Sequence, residues 1–296
     1  MNILVHGNCQ VQQLVLGLKL ALMGKANVTG LELSNPDTER NLQLLASRSG
    51  SSKVDLVITN QDMSRVTKYF DRQAVVEIPI ISFGGFHPDV VYFSFNDSPE
   101  TPGSFMNNPT VSALALWGYM NGYSAEKTLG FYDESVFEAL AYMDYFDLAC
   151  ESLLESYRKK GIGSTYLEKH IVSQSVFMFG PLHPRLEVVL SLCFGILEKL
   201  ELTPVNRYES IVGVVPDPLE PEYNWGCFPP LAERLGLTGS WFVRHWNHVF
   251  PTMDHYLRSF YQSLSQYPNR GVRFFERDRL RFHEYHNLDS VLEEFL

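Results

Sequence analysis

The amino-acid sequence predicts an α/β protein: an N-terminal core of parallel strands with intervening helices, followed by a mainly helical cap or C-terminal lobe. In the N-terminal third, short apolar runs alternate with stretches of helical periodicity, an order typical of a parallel sheet. After Pro109, long helical periods dominate. We therefore expect an α/β core over residues 1–109 and a mainly helical region over residues 110–296, packed on the core as a lobe or as part of one single domain.

Each predicted element follows from its local pattern. After a short apolar strand, Val11, Leu14 and Leu18 recur at helical spacing. The core strands are predicted at residues 2–5, 28–33, 54–59 and 75–82, and the core helices at 10–23, 36–46 and 64–72. Later helices are predicted at residues 111–121, 135–160, 166–179, 184–200 and 252–266, with an acidic terminal helix from Leu288. Segment 204–230, rich in Pro, Glu and aromatic residues, is predicted to be irregular.

Composition excludes several classes of protein. Of the 296 residues, 45% are hydrophobic and 20% are charged, which is typical of a folded chain rather than a disordered one. The net charge of −10 argues against binding to nucleic acid or to anionic membranes. No apolar run approaches the ~20 residues of an integral membrane segment, and the N-terminal residues do not resemble a secretory leader. We therefore expect a cytoplasmic protein, and a homo-oligomer is compatible with this composition.

The first predicted strand is followed by Gly7-Asn8-Cys9-Gln10, directly before the first helix. Parallel sheets bind ligands at the carboxyl ends of their strands, where the next helix presents backbone N–H groups. Such a position favours the thiolate form of a cysteine. Gly7 permits a tight turn, and the side-chain amides of Asn8 and Gln10 can donate hydrogen bonds to an oxyanion. The same pattern would also suit a packed cysteine beside a glycine turn.

A first candidate base lies in the segment 83–89, Phe-Gly-Gly-Phe-His-Pro-Asp, after the strand predicted at 75–82. Here His87 would stand at the carboxyl end of a strand. Gly85 would let the backbone approach a ligand closely, and Asp89 could orient the imidazole. A lone His-Pro pair is usually only a turn.

A second candidate base is His183, which precedes the helix predicted to start at Pro184 and has Arg185 nearby. Thiol chemistry needs a base near the nucleophile, so two such histidines and one cysteine together favour a catalytic interpretation over turns alone. Asn60 and Gln61 end the strand predicted at 54–59, at the same sheet edge as Cys9, and could supply further oxyanion donors or simply form a polar strand exit.

Basic residues could hold the phosphates of a ligand such as a nucleotide or coenzyme A. Candidates occur beside the sheet edge, beside His183 and in a C-terminal run that acidic residues interrupt: Arg65, Lys68, Arg185, Arg273 and Arg277. No metal is expected, because His245-x-x-His248 and His283-x-x-His286 lack a carboxylate or cysteine partner. The chain has no G-x-S-x-G, P-loop or G-x-G-x-x-G motif.

Taken together, these motifs resemble the WcbI family of polysaccharide-biosynthesis proteins, regarded as coenzyme A-binding acetyltransferases of bacterial capsular sugars. The resemblance covers roughly residues 2–200 and rests on the strand-GNCQ-helix pattern, the exit Thr59-Asn60-Gln61, the segment 83–89 and His183 before a long helix. The family tends to have Asn before the second His-Pro, where this chain has Leu182. A looser likeness links the chain to SGNH-type esterases and acetyltransferases, with Cys9 in place of their serine, although their late Asp-x-x-His is missing.

The resemblance implies an acyl-CoA-dependent O-acetyltransferase that acts on a sugar or polysaccharide precursor of a capsule or exopolysaccharide. Acetyl-CoA would be a co-substrate, and no metal would be needed. In this interpretation Cys9 lies at the reaction centre, and His87 is the base, with His183 as the alternative. Asp89 would orient His87, and the oxyanion would be stabilised by the amides of Asn8, Gln10 and Asn60.

Two other functions stay open at this point. A thiol-type esterase or deacetylase of acylated glycans would use the same residues with water as the acceptor. A non-catalytic glycan-binding protein would instead use aromatic rings on which sugars stack, and the candidates are Tyr223, Trp225, Trp241 and Trp246.

Overall fold

The computed structural model describes residues 1–96, 110–173, 175–267, 271–275, 278 and 286–296. In chain order the strands are β1 (Asn2–Gly7), β2 (Asn27–Glu32), β3 (Leu56–Thr59), β4 (Val75–Glu77), β5 (Val90–Phe95), β6 (Thr110–Ser112), β7 (Met178–Gly180), β8 (His183–Pro184), β9 (Tyr223–Trp225), β10 (Val243–His245), β11 (His248–Phe250) and β12 (Val272–Phe274). The helices are α1 (Val11–Ala21), α2 (Thr38–Ala46), α3 (Ser64–Thr67), α4 (Ala113–Met120), α5 (Ala125–Leu129), α6 (Glu134–Ala139), α7 (Tyr145–Lys159), α8 (Thr165–Val172), α9 (Leu186–Lys199), α10 (Tyr208–Ile211), α11 (Pro229–Arg234), α12 (Met253–Ser265) and α13 (Leu288–Glu294).

The chain folds into two compact units. The first unit comprises Met1–Ser82, Glu151–Phe177 and Leu182–Glu220, and the second comprises Phe83–Cys150, Met178–Pro181 and Pro221–Leu296. Each unit therefore draws on separate parts of the sequence.

The first unit contains a parallel four-stranded sheet with the strand order β2-β1-β3-β4. Val5 of β1 is aligned with Gly30 of β2 on one side and with Ile58 of β3 on the other. The chain therefore leaves β1 in one direction, returns, and adds β3 on the opposite side. Parallel sheets bind ligands at such a switch point, in the crevice outside the carboxyl ends of the two central strands. The predicted α/β fold class is confirmed.

Apolar side chains cover both faces of this sheet, as expected for a parallel sheet. One cluster joins Leu4 and Val57 of the sheet to Leu42 of α2 and Val66 of α3. Elsewhere in the unit, α1 packs against α9. A Cβ atom at Gly17 of α1 would lie 2.8 Å from the Cys193 sulfur of α9, so glycine is needed for the two helices to approach closely.

The second unit combines helices with short antiparallel strands. Its three-stranded arrangements have the orders β11-β10-β9 and β12-β5-β6. Trp225, Tyr256 and Phe260 are buried in its aromatic core, where the rings of Trp225 and Tyr256 lie 5.3 Å apart. The sequence pattern did not reveal these strands: all except β5 have only three residues, which is too short to establish an alternation, and the six residues of β5 are mostly apolar and do not alternate.

The structure corrects several predicted boundaries. The strand predicted at 75–82 ends at Glu77, shortly before Pro79, which has no N–H to pair in a sheet. The helix predicted at 135–160 is broken into α6 and α7, because Ala141 adopts a left-handed conformation with φ of 55°. The helix predicted at 166–179 ends at Val172. The segment 204–230, predicted to be irregular, contains α10, β9 and the start of α11. Within the described ranges, no helix combines the length and the apolar character needed to cross a bilayer.

Candidate active site

Cys9 lies in the turn between β1 and α1, at the carboxyl edge of the parallel sheet. The turn has the predicted form, since the strand ends at Gly7 and the helix begins at Val11. The Cys9 side chain is half-buried, and its sulfur lies 3.3 Å from Nε2 of His183. This distance is a hydrogen-bonding one for sulfur, and the direction of donation depends on the tautomer of the imidazole. The fold thus brings a thiol and an imidazole together across 174 residues of sequence.

His183 is 5% exposed and lies in β8, directly before α9. Burial lowers the pKa of its imidazole from the ordinary value of 6.5 to about 3. The imidazole is therefore neutral at physiological pH, which leaves one ring nitrogen as a proton acceptor, and the same burial makes this nitrogen a weaker base than that of an ordinary histidine.

The position of His183 is fixed by polar contacts that sequence reasoning missed. The Gln13 amide, on α1, donates to the carbonyl oxygen of Pro184 and to Oδ1 of Asp217, each at 2.8 Å. The other Asp217 oxygen accepts from the backbone N–H of Leu186, the first residue of α9. Burial raises the pKa of Asp217. The sequence contains a weak indication for Gln13, because it is a polar residue among the apolar positions of α1. It contains no such indication for Asp217.

Gln10 has a different role from the predicted one. Its side-chain nitrogen donates to the carbonyl oxygens of Ile81 (2.7 Å) and Leu182 (2.9 Å), and its oxygen accepts from the N–H of Ile81 at 3.1 Å. Both amide hydrogens are thus used by the backbone. Gln10 therefore holds the chain after β4 and the chain before His183 in place, and it has no hydrogen left for an oxyanion.

Asn8 and Asn60 meet at the switch point between β1 and β3. Asn60 Nδ2 donates to Asn8 Oδ1 at 2.7 Å, and the backbone N–H of Asn8 donates to Asn60 Oδ1 at 3.2 Å. Asn8 Oδ1 also accepts from the backbone N–H of Gln10 at 3.2 Å. A Cβ atom at Gly7 would collide with the Asn60 amide, so glycine is required for this close approach. The orientation of the Asn8 amide is fixed, since two donors hold its oxygen.

Gln61 and the end of β3 extend this network. The Gln61 side chain donates to Asn60 Oδ1 at 3.0 Å, and its backbone N–H donates to the Thr59 hydroxyl oxygen at 3.1 Å. The same hydroxyl lies 3.0 Å from Nδ1 of His6, a buried residue that sequence reasoning did not select. Burial, and then the positive charge of Arg65, lower the pKa of His6.

The other candidate base, His87, belongs to the second unit. Its Nε2 donates to the carbonyl oxygen of Trp225 at 2.8 Å, so this nitrogen carries a proton, and the side chain is 3% exposed. Asp89 Oδ1 accepts from the N–H of Leu114 in α4 and from the Tyr142 hydroxyl, each at 3.1 Å. Within the second unit, His87 thus binds the backbone of β9, and Asp89 binds the backbone at the start of α4.

Gly85 packs among aromatic rings in the second unit. A Cβ atom there would lie 2.5 Å from the Phe83 ring and 3.0 Å from the Phe146 ring. The absence of a side chain at this position thus serves close aromatic packing.

The predicted phosphate-binding residues fall into three groups. Arg65 is exposed near the start of α3, and Lys68 forms an exposed ion pair with Glu39 at 3.8 Å. Arg185 directly precedes α9 in the first unit. Arg273 lies on β12 of the second unit, where it donates to the Ser94 hydroxyl oxygen at 3.3 Å. Arg277 lies outside the described residues.

Two further sets of residues considered from the sequence are the paired histidines and the aromatic rings. Among the residues described, no three His, Cys, Asp or Glu side chains form a group that could hold a metal ion, and His283 lies outside them. Of the four rings considered for glycan stacking, Tyr223 and Trp225 are buried, which removes them from any such surface, whereas Trp246 is 46% exposed.

Comparisons with known proteins identify the family. A search of curated proteins finds no significant match. A solved structure described as native WcbI, a novel polysaccharide biosynthesis enzyme, without a disulfide bond between coenzyme A and one of its cysteines, is similar over 100% of this chain and 99% of its own. The TM-score is 0.68 and the sequence identity 14%, so this likeness shows a shared fold. Residues 2–205 match the family described as polysaccharide biosynthesis enzyme WcbI, and the chain therefore belongs to the WcbI family of polysaccharide biosynthesis enzymes.

Proposed function

We propose that this protein transfers an acyl group from an acyl-CoA thioester, acetyl-CoA in the simplest case, to a hydroxyl group of a sugar or polysaccharide precursor. The observation that carries the proposal is the 3.3 Å separation between Cys9 Sγ and His183 Nε2 at the carboxyl edge of the parallel sheet. A thiol beside a neutral base is the arrangement required for nucleophilic thiol catalysis.

In the first half of the proposed reaction, the Cys9 sulfur attacks the carbonyl carbon of the thioester. The thiol proton passes to His183 Nε2, and the carbonyl oxygen becomes an oxyanion. Collapse of this intermediate breaks the bond to the sulfur of coenzyme A, and that sulfur takes the proton from His183. The products are coenzyme A with a free thiol and an acyl group on Cys9.

In the second half, the sugar hydroxyl oxygen attacks the acyl group on Cys9. His183 takes the hydroxyl proton and returns it to the departing sulfur of Cys9, which restores the starting pair. His183 is preferred to His87 as the base because its Nε2 contacts the thiol, whereas Nε2 of His87 donates to a backbone carbonyl.

The oxyanion would be stabilised by Asn8. Its side-chain oxygen accepts from Asn60 and from the backbone of Gln10, which leaves Nδ2 as a donor whose orientation is fixed before substrate arrives. Donors with a fixed orientation stabilise developing charge most effectively, since they need not reorganise during the reaction. Asn60 is the residue that positions Asn8.

The first unit contains basic side chains that could bind the phosphates of coenzyme A. Arg65 and Arg185 are guanidinium groups at this edge and beside His183, and such groups bind phosphates in a bidentate manner. The similar WcbI structure is described as lacking a disulfide bond between coenzyme A and one of its cysteines, and this association of the two thiols supports placing the coenzyme A thiol near Cys9. Added salt should weaken the binding, because ion pairs with phosphate are screened.

The test has two parts. Calorimetry should detect binding of coenzyme A at low salt, and mass spectrometry after mixing with acetyl-CoA should find one acetyl group on Cys9. Absence of coenzyme A binding would overturn the proposal. Binding and transfer without acetyl-Cys9 would instead indicate direct transfer, with His183 deprotonating the sugar hydroxyl. Acetyl release to water at the same rate with and without sugars would indicate an esterase.

A further inference from the structure

A cleft in the first unit lies next to the proposed reaction centre. It has a volume of about 370 Å³ and is lined by residues 60–62 after β3, residues 77–80 at and after β4, and Ser156, Lys159 and Lys160 at the end of α7. Asn60 belongs both to this lining and to the hydrogen bond with Asn8, the neighbour of Cys9 in sequence. The cleft therefore reaches the carboxyl edge of the sheet on which the Cys9–His183 pair lies.

The polar groups of the cleft are balanced in charge. Two lysines, Lys159 and Lys160, and two carboxylates, Asp62 and Glu77, line the cleft. Lys160 Nζ lies 2.6 Å from a Glu77 oxygen, and Lys159 Nζ lies 3.9 Å from a Glu155 oxygen on the same helix. Hydrogen bonds from Ser64 lower the pKa of Asp62, so its carboxylate is ionised at physiological pH. A polyanion such as the phosphates of coenzyme A would meet these carboxylates as well as the lysines, and like charges at close range oppose binding.

A neutral, hydroxyl-rich molecule suits this lining better. A sugar hydroxyl both donates and accepts hydrogen bonds, so it can donate to Asp62 or to the Gln61 oxygen and accept from Lys159. Residues 78–80, Ile-Pro-Ile, add an apolar wall against which the C–H face of a sugar ring can pack. Such a mixture of an apolar wall and a few polar groups is typical of small-molecule sites.

We propose that this cleft binds the sugar acceptor, an uncharged glycosyl unit whose hydroxyl is presented to the acyl group on Cys9. The inference rests on the proposed acyltransferase function for the identity of the reaction, but binding of the sugar itself can be measured without any activity.

The experiment uses the full chain with isoleucine methyl groups labelled for NMR. Methyl α-D-mannopyranoside and methyl β-D-galactopyranoside serve as probes, and the Ile80 methyl signal reports on the cleft. We expect at least one of these glycosides to shift the Ile80 signal in a saturable manner, while the signal of Ile162, which does not line the cleft, stays constant.

Two matched variants of α7 locate the binding. Ser156→Trp places a large ring in the cleft, whereas Ser152→Trp makes the same change one turn earlier, at an exposed position outside the lining. We expect Ser156→Trp to abolish the shift at Ile80 and to raise the KM for the sugar at least tenfold, with little change in the affinity for coenzyme A. Ser152→Trp should behave as the parent. Should Ser156→Trp fail to fold, Asp62→Asn, at an exposed site, is expected to weaken the sugar-induced shift.

The outcomes separate the two proposals. If neither glycoside shifts Ile80, or if Ser156→Trp weakens coenzyme A binding and leaves the sugar shift intact, the acceptor assignment is wrong. If the sugar binds here but coenzyme A does not bind the protein at all, the cleft assignment stands and the acyltransferase function fails.

Discussion

The two His-Pro pairs of this chain look alike in sequence and differ in structure. His183 and His87 are each followed by proline, and each is at most 5% exposed. In the first unit the imidazole of His183 contacts the sulfur of Cys9, whereas in the second unit the imidazole of His87 donates to the carbonyl oxygen of Trp225. Each contact joins residues more than a hundred positions apart. The comparison shows that the partner of a buried histidine, and not the short motif around it, favours one role over another.

The sharpest test of this comparison replaces the two histidines separately. His183→Ala should lower kcat for acyl transfer by ~10²–10⁴-fold, the usual contribution of a general base, with little change in coenzyme A affinity. His87→Ala should mainly lower the free energy of unfolding, by about 1–3 kcal/mol, because the Trp225 carbonyl loses its donor in a buried place.

Both variants should be compared with the parent by steady-state kinetics and by chemical denaturation. The proposed difference between the two histidines is wrong if folded His87→Ala protein loses turnover and His183→Ala protein retains it. In that case the base is the histidine of the second unit.

The second test compares Cys9 with the three buried cysteines. Burial raises the pKa of Cys150 to about 11 and that of Cys227 to about 12, and it also raises the pKa of Cys193. A rise from 9 to about 11 reduces the thiolate fraction of Cys150 by about 100-fold at neutral pH. Since iodoacetamide reacts with thiolates, the half-buried Cys9 should be labelled first.

Residue-resolved mass spectrometry over a time course measures the order of labelling, and bound coenzyme A should slow the reaction of Cys9 alone. Labelling of Cys9 no faster than that of Cys150 would show that Cys9 is a packed structural residue.

A third test concerns the Asn8–Asn60 contact. Asn60→Ala should reduce transfer by roughly 10-fold to 10²-fold, since it releases the Asn8 amide from its fixed orientation and a small misplacement is costly to catalysis. Asn41→Ala, at a half-buried position on α2, is a control with the same substitution and should leave kcat unchanged. Equal kinetics for the Asn60 variant and the parent would exclude the proposed positioning role.

The last test measures stability as a function of pH. His183 takes up a proton near pH 6.5 in the unfolded chain but only near pH 3 in the folded one. The unfolded state therefore binds more protons between these values, and the stability that this histidine contributes is complete above pH 6.5 and is lost as the pH falls towards 3.

Urea denaturation between pH 4 and 7 should show a shallower loss of stability for His183→Gln than for the parent. His255→Gln, which changes an exposed histidine, should retain the parental slope. Parallel curves for the parent and His183→Gln would contradict the burial effect.

Several features of the site could be predicted from neighbouring residues alone. Gly7, Asn8 and Cys9 follow a short apolar strand and precede an apolar helix, so local periodicity was sufficient to place them at a sheet edge. Asn60 could be placed at the same edge, because consecutive parallel strands end on one side of a sheet. The role of Gln10 could not be predicted, since its amide bonds to the carbonyl oxygens of Ile81 and Leu182, both distant in sequence.

Local sequence thus determined the parallel α/β class, the strand–turn–helix around Cys9 and each of the short motifs that carry the family likeness, because each depends on residues within a few turns of one another. Tertiary structure alone decided that His183 lies beside Cys9 and that Asp217 caps α9, the helix that follows His183. It also decided that a charge-balanced cleft adjoins Asn60. These features join segments separated by tens to hundreds of residues. Their geometry is set by how the helices pack on the sheet, and no short-range pattern in the sequence records that packing.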